Sequence, residues 1–263
     1  MSVLRVGILG WGAIGRAIAE RLVAGAVPGV ELSAVASRRP PTNAAVRIVE
    51  PSELPNHCDL VIETAGHAAV VEHVPGLLGS GCQVILLSTG ALRDAALFGA
   101  VTKAGSERLL LSTGAIGGID IIGACLHAGQ IHSISLTTTK PSGVLVQPWM
   151  DAEMASALRD GKQRVECFEG PAVVAAEKFP SSVNVAATLA LAAKSWALVR
   201  VTVIGDPTAS GNTHVIDIDA DAGQYSFEFA NKALAANPTS SALVVASVLR
   251  ALDALTCTTH RFV

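Results

Sequence analysis

The residues best placed to do chemistry lie near the start of the chain. Gly10, Trp11, Gly12, Ala13, Ile14 and Gly15 spell G-x-G-x-x-G between an apolar run at residues 3–9 and a helically spaced stretch at 14–24. In that setting each glycine has a physical use. Gly10 permits a tight turn, Gly12 lets a pyrophosphate approach the backbone, and Gly15 allows the helix to pack closely. The helix opens at Ile14, directly after Ala13, so its free N–H groups and the positive end of its dipole face the phosphates. The chemistry implied is dinucleotide binding and, through a nicotinamide, hydride transfer.

A second polar group follows about 20 residues later, where such sites discriminate between nucleotides. Ser37, Arg38 and Arg39 stand there, and no acid lies between Glu31 and Glu50 to take a ribose 2'-hydroxyl. Two guanidinium forks and a hydroxyl suit a 2'-phosphate, which favours NADP over NAD or allows both. Two arginines merely solvated in a loop are the plain alternative. Two further loops, Glu63-Thr64-Ala65-Gly66-His67 and Ser88-Thr89-Gly90-Ala91, follow apolar runs and so fall at the carboxyl ends of strands. Ala65, Gly66, His67, Ser88, Thr89 and Gly90 are therefore expected to flank the nicotinamide ribose. His67 serves equally well as a residue opening a helix.

The elements that must hold these groups alternate along the chain. Strands are expected at 30–36, 59–63, 82–88 and 108–112, with helices at 68–79 and 94–104. This rhythm predicts an α/β fold whose N-terminal part is a Rossmann domain, a doubly wound parallel sheet covered on both faces. After the glycine-rich turn at 114–118 the texture changes to polar, Thr-rich strands at 131–139, 199–205, 213–220 and 224–230, with helices at 119–128 and 182–195. A second, α+β domain built on a mostly antiparallel sheet is expected there. The predicted organisation is a dinucleotide-binding domain over 1–113, a substrate and dimerisation domain over 114–236, and a closing segment, 237–263, that returns to the first domain through a helix at 240–255.

Composition narrows the class. With 263 residues, 50% of them apolar, the chain can bury more than one core, yet every long apolar stretch is interrupted by charges or helix breakers. A membrane partner is not expected, and the start of the chain reads as a strand and turn instead of a signal peptide, so a cytoplasmic protein is expected. A net charge of −3 leaves no basic excess for nucleic acid. The five cysteines are far apart and lack C-x-x-C spacing, so reduced thiols are expected and no metal site.

Four segments, GWGAIG, GAIGGID, FPSSVNVAATL and GNTHVIDI, followed by NPTSSALVVASVLRAL, resemble in order and spacing those of the L-aspartate dehydrogenases, over nearly the whole chain. The resemblance implies NAD(P)-dependent oxidation of L-aspartate to iminoaspartate, which water converts to oxaloacetate and ammonia. It also implies the reverse amination, and a place in NAD biosynthesis or in aspartate breakdown. It puts His214 at the family's active-site histidine, a role that suits an imidazole titrating near neutrality. It puts Asn184 and Ala115 at cofactor-contacting positions. Two substrate carboxylates call for a cation, and Lys140, after the Thr137-Thr138-Thr139 run, is the first candidate, with a solvated strand-end lysine as the alternative. This chain departs from the family in carrying Ser181 and Thr239 where relatives tend to have Lys after proline.

Three rivals share the scaffold. An imine reductase of the dihydrodipicolinate reductase type would act on a cyclic substrate, and a non-catalytic NADP sensor would not turn over. A semialdehyde dehydrogenase would need a nucleophilic cysteine, and neither Cys125 nor Cys167 sits beside a histidine in a suggestive loop. A homodimer is the expected assembly.

Overall fold

The computed structural model describes residues 3–39, 46–179 and 184–257. The chain divides into two compact units, Met1–Gly114 together with Val244–Val263, and Ala115–Leu243. In the first unit the elements run β1 (Leu4–Leu9), α1 (Ala13–Val23), β2 (Val30–Ala36), β3 (Arg47–Ile48), α2 (Leu54–His57), β4 (Leu60–Glu63), α3 (His67–Gly79), β5 (Gln83–Leu86), α4 (Ala95–Gly105) and β6 (Leu109–Leu111). The six strands lie in the order β3-β2-β1-β4-β5-β6 and all pair in parallel. The parallel arrangement follows from the side chains. Val6, Ile8, Leu60, Val61, Ile62, Val84, Ile85 and Leu86 are all buried, so the central strands lose water on both faces and must be covered on both. The strand order reverses between β1 and β4, and the carboxyl ends of those two strands are where sheets of this kind leave a crevice for ligands.

The second unit contains α5 (Ile119–Ala128), β7 (Ile131–Pro141), α6 (Ala152–Asp160), β8 (Val165–Pro171), α7 (Ala172–Lys178), α8 (Asn184–Ala192), β9 (Val199–Asp206), β10 (Asn212–Ala220), β11 (Gly223–Asn231), β12 (Ala233–Leu234) and β13 (Asn237–Ser241). Its main sheet has the order β11-β10-β7-β9-β8 and is antiparallel except for the β7–β9 pair. Alternation puts Ile134, Leu136, Val201, Val203, Ile216 and Ile218 on the face that meets Phe179, Ala186, Leu189 and Ala190 of the helical layer. The opposite face carries Ser133, Ser135, Asp217, Ser226 and Glu228 in solvent. The last helix, α9 (Leu243–Thr256), belongs from Val244 onward to the first unit, where Ser247 Oγ donates to the Gly114 carbonyl at 2.8 Å.

Several elements have no counterpart in the sequence reading: β3, α2, α6, β8, α7, β12 and β13. The helix expected from 240 starts at Leu243, because residues through Ser241 pair in β13 and the Ser241 hydroxyl takes the Leu243 N–H. The helix expected over 182–195 spans Asn184–Ala192 and is followed by a turn in which Lys194 has φ +54°. Residue Ser181 lies outside the described residues. Among the described residues no helix is long and apolar enough to cross a membrane.

Candidate active site

The glycine loop shows which of its glycines the protein itself requires. Gly10 has φ +106°, and a Cβ there would sit 2.8 Å from the Ala65 nitrogen. A Cβ on Gly15 would overlap the Gly10 carbonyl and press on Thr64 Oγ1. Both are glycines because backbone passes too close for a side chain. Gly12 differs. Its φ of −77° is open to any residue, and a Cβ there meets no protein atom within 4 Å. Space kept clear that neither the backbone nor the packing uses is what a pyrophosphate resting on the loop needs. No side chain caps α1, so its first-turn N–H groups point at that space. The chain thus fits a dinucleotide, with Gly10, Gly12, Ala13, Ile14 and Gly15 forming the cradle.

Ser37, at the end of β2, accepts the Arg39 N–H at 3.2 Å, and the Arg38 and Arg39 side chains stand in solvent. Of the other two loops, Ala65 is exposed, Gly66 has φ +97° with open space at its Cα, and His67 begins α3. Ser88, Thr89 and Gly90 are buried. A residue to which the sequence reading gave no role governs these loops: Glu63, fully buried at the end of β4. Its carboxylate accepts from Ala65 N, Gly66 N, Ser88 N and Ser88 Oγ.

In the second unit the apolar stripe of the main sheet becomes polar at one end. The buried face continues from Leu136 to Thr138 and Lys140 on β7, and from Ile216 to His214 and Asn212 on β10. Thr138 stands opposite His214 in the ladder, and its Oγ1 lies 3.1 Å from His214 Nδ1. Burial, and after it the charge of Lys140, pushes His214 down to about 4, while burial pushes Lys140 down to about 8. Near neutrality the imidazole is therefore uncharged and the ammonium is charged. Four polar side chains on an inward face would weaken a core, and together they form a candidate ligand site.

Alternation along β7 was the available signal for Thr138. Residues 134, 136, 138 and 140 share a face, so a hydroxyl between Leu136 and Lys140 had to point inward. Ala115 is buried, and its carbonyl accepts from Asn231 Nδ2 at 3.0 Å, while Asn184 opens α8. Of the thiols, Cys58, Cys82, Cys125 and Cys167 are buried and Cys257 is half-buried, and burial pushes Cys167 upward, away from the reactive thiolate.

Two family models together match most of the chain. A model described as the C-terminal part of aspartate dehydrogenase matches residues 120–255, and one described as the NAD-binding domain of homoserine dehydrogenase matches residues 10–108. An L-aspartate dehydrogenase of Methanosarcina acetivorans is 36% identical over 95% of this chain and 96% of its own length. The chain belongs to the L-aspartate dehydrogenase family. A second family member, L-aspartate dehydrogenase 2 of Bordetella bronchiseptica, is 37% identical over 93% of this chain and 94% of its own. The crystal structure of aspartate dehydrogenase from Thermotoga maritima superposes with a TM-score of 0.78 at 25% identity, covering 98% of this chain and 99% of that one. Outside the aspartate dehydrogenases, a dihydrodipicolinate reductase from Paenisporosarcina shares the fold at a TM-score of 0.52 and 13% identity.

Proposed function

We propose that this protein is an NAD(P)-dependent L-aspartate dehydrogenase that oxidises L-aspartate to iminoaspartate, releases oxaloacetate and ammonia after hydration, and runs the amination in reverse. The observation that carries the reading is the buried Lys140, Thr138 and His214 cluster in a chain of this family. The first unit holds the dinucleotide through residues 10–15, with Ser37, Arg38 and Arg39 at the adenosine ribose and Ala65, Gly66, His67, Ser88, Thr89 and Gly90 toward the nicotinamide. Ala115 and Asn184 join the cofactor contacts by family position. When bound, the nicotinamide supplies the acceptor for hydride from the substrate α-carbon.

His214 is the proton acceptor. For Nε2 to take a proton from the substrate ammonium, or from the water that hydrates the imine, Nδ1 must carry the ring hydrogen and donate it to Thr138 Oγ1, which the 3.1 Å separation allows. Lys140 binds a substrate carboxylate. Its ammonium is poorly hydrated where it stands, so an arriving carboxylate replaces solvation already lost. The same negative charge would raise both the lysine and the histidine back toward their ordinary values, making the imidazole a better base once substrate is present.

The deciding assay follows nucleotide reduction with L-aspartate, and its oxidation with oxaloacetate plus ammonia, alongside a cyclic imine of the dihydrodipicolinate type. Turnover of the cyclic imine alone would place the protein among the imine reductases, and no turnover with any substrate would leave a nucleotide sensor.

Two expectations follow from the same residues. Lys140 must be protonated to hold a carboxylate, so a dicarboxylate inhibitor without an amine, such as succinate, should bind with near-constant affinity from neutrality to about pH 8 and progressively lose it above. In Lys140→Arg, where the charge persists, that alkaline limb should disappear; an unchanged limb would assign it to another group. NADP is the preferred nucleotide in our reading, since Arg38 and Arg39 lie exposed after β2 and can turn to a 2'-phosphate. Replacing both by alanine should weaken NADP by about tenfold or more and NAD by little, each lost charge-assisted bond being worth about 1.5–3 kcal/mol. Equal losses for the two nucleotides would rule out the assignment.

The assembly we propose is a homodimer, for which the solvent face of the main sheet in the second unit is the available flat surface; sedimentation at equilibrium measures it. A soluble nicotinamide pool as co-substrate fits a cytoplasmic enzyme.

A further inference from the structure

We propose that Glu63 is a positioning residue for the nucleotide: its buried carboxylate ties together the loops that follow β4 and β5 and holds them at the spacing the cofactor requires, without touching the cofactor. The inference rests on the reading of these loops as cofactor contacts.

The geometry carries it. Glu63 Oε1 accepts from Ala65 N at 2.7 Å, Gly66 N at 2.8 Å and Ser88 Oγ at 3.1 Å, and Oε2 accepts from Ser88 N at 3.0 Å. Two of these donors belong to the loop after β4 and two to the loop after β5, and the two strands are neighbours in the sheet. The next residue extends the brace in the other direction, since Thr64 Oγ1 donates toward the Leu9 and Gly10 carbonyls at the end of β1. Glu63 and Thr64 thus link three adjacent loops at the carboxyl edge of β1, β4 and β5, the glycine loop included.

A purely structural fold would have little reason to put a carboxylate there. The side chain is fully buried, and burial pushes its pKa up while the Ser88, Gly66 and Ala65 donors pull the other way. A carboxylate so placed is expensive in solvation and is kept only when all its lone pairs are used. Ala65 N, Gly66 N, Ser88 N and Ser88 Oγ all donate to it, so the ionised form is the one the site fits. The Ala65, Gly66 and Ser88 N–H groups and the Ser88 hydroxyl are thereby turned inward. The N–H groups opening α1, which no side chain caps, are left for phosphate.

Glutamine is the sharpest test because it keeps the shape. With its oxygen in place of Oε1 it retains three bonds, but its amide nitrogen then meets the Ser88 N–H, donor against donor; turned over, it meets the Ala65 and Gly66 N–H groups donor against donor and keeps the Ser88 hydroxyl only as an acceptor. In Glu63→Gln the loop after β5 loses its backbone tether through Ser88 N and keeps at most the hydroxyl contact. The dissociation constants of NADH and NADPH, measured by the fluorescence of the reduced nicotinamide, should rise about tenfold or more, as expected for losing a hydrogen bond to a charged group. The KM for aspartate at saturating nucleotide should stay within about twofold. A lowered melting temperature with unchanged nucleotide affinity would mean that Glu63 only stabilises the fold, and would overturn the proposal. If Glu63→Gln does not fold, Ser88→Ala, which deletes only the hydroxyl contact, should raise the same constants by about two- to fivefold, and no change would count against the idea. Gly12→Val serves as the control on the underlying reading. If it binds NADH as the natural chain does, the cofactor site itself is misplaced; if it loses NADH while Glu63→Gln keeps full affinity, only the role given to Glu63 fails.

Discussion

Replacing His214 by alanine should lower kcat for aspartate oxidation by about 10²–10⁴-fold, the usual worth of a positioned acid–base group. NADH and NADPH should still bind within about twofold of the natural affinity. The imidazole lies 3% exposed at the polar end of the β7–β10 ladder and is held through Nδ1 by Thr138, which leaves Nε2 as its free position. Burial and the Lys140 charge keep it neutral near pH 7, the state in which it can accept a proton. The loss should therefore appear in kcat and in kcat/KM together, since the interaction acts on the reacting proton and not on ground-state binding. The experiment pairs steady-state rates in both directions with nucleotide titration. Turnover near the natural rate would remove His214 from the chemistry, and loss of nucleotide binding would show that the substitution had disturbed more than the base.

Gly12→Val and Gly10→Ala should fail in opposite ways. At Gly12 the backbone is ordinary and no protein atom lies within 4 Å of a Cβ, so the valine variant should melt near the natural temperature. It should also lose NADH and NADPH affinity by about a hundredfold or more, or about 2.7 kcal/mol, because the side chain fills the space meant for the pyrophosphate. At Gly10 a methyl group meets the Thr64–Ala65 backbone at 2.8 Å with φ at +106°, so alanine should destabilise the first unit by about 2–4 kcal/mol from strain and overpacking. Thermal melts and nucleotide titrations on both variants separate the effects. A Gly12→Val protein with unimpaired binding would overturn the cradle.

What could be read from the residues depended on how much of each signal was local. The strands at 59–63 and 82–88 were legible because central parallel strands bury both faces and read as unbroken apolar runs. The strand β3 was not: it is two residues long, both exposed, and its pairing depends on β2. The stretch from 142 to 178 hid three elements for a similar reason. β8 mixes Glu166 and Glu169 with Phe168, its register slips between Glu166 and Phe168, and it is followed at once by the seven-residue α7, so no period persists long enough to be seen. In the candidate site, the glycine loop was legible because its geometry is local, whereas His214 and Lys140 needed the family resemblance. Glu63 was hidden in plain view: an acid ending an apolar strand looks solvent-facing until the Ser88 loop, brought near only by the sheet, closes over it.

The return of α9 bears on how the chain is made. The first unit is discontinuous in sequence, closed by residues from Val244 onward, and Ser247 fastens that late segment to Gly114, the point where the chain leaves the unit. On the ribosome the nucleotide-binding half therefore waits, unfinished, until the whole intervening unit has been synthesised, although all six strands of its sheet emerge first. Its core strands are apolar on both faces, so this interval, and not the mature protein, is when the chain is most exposed to aggregation.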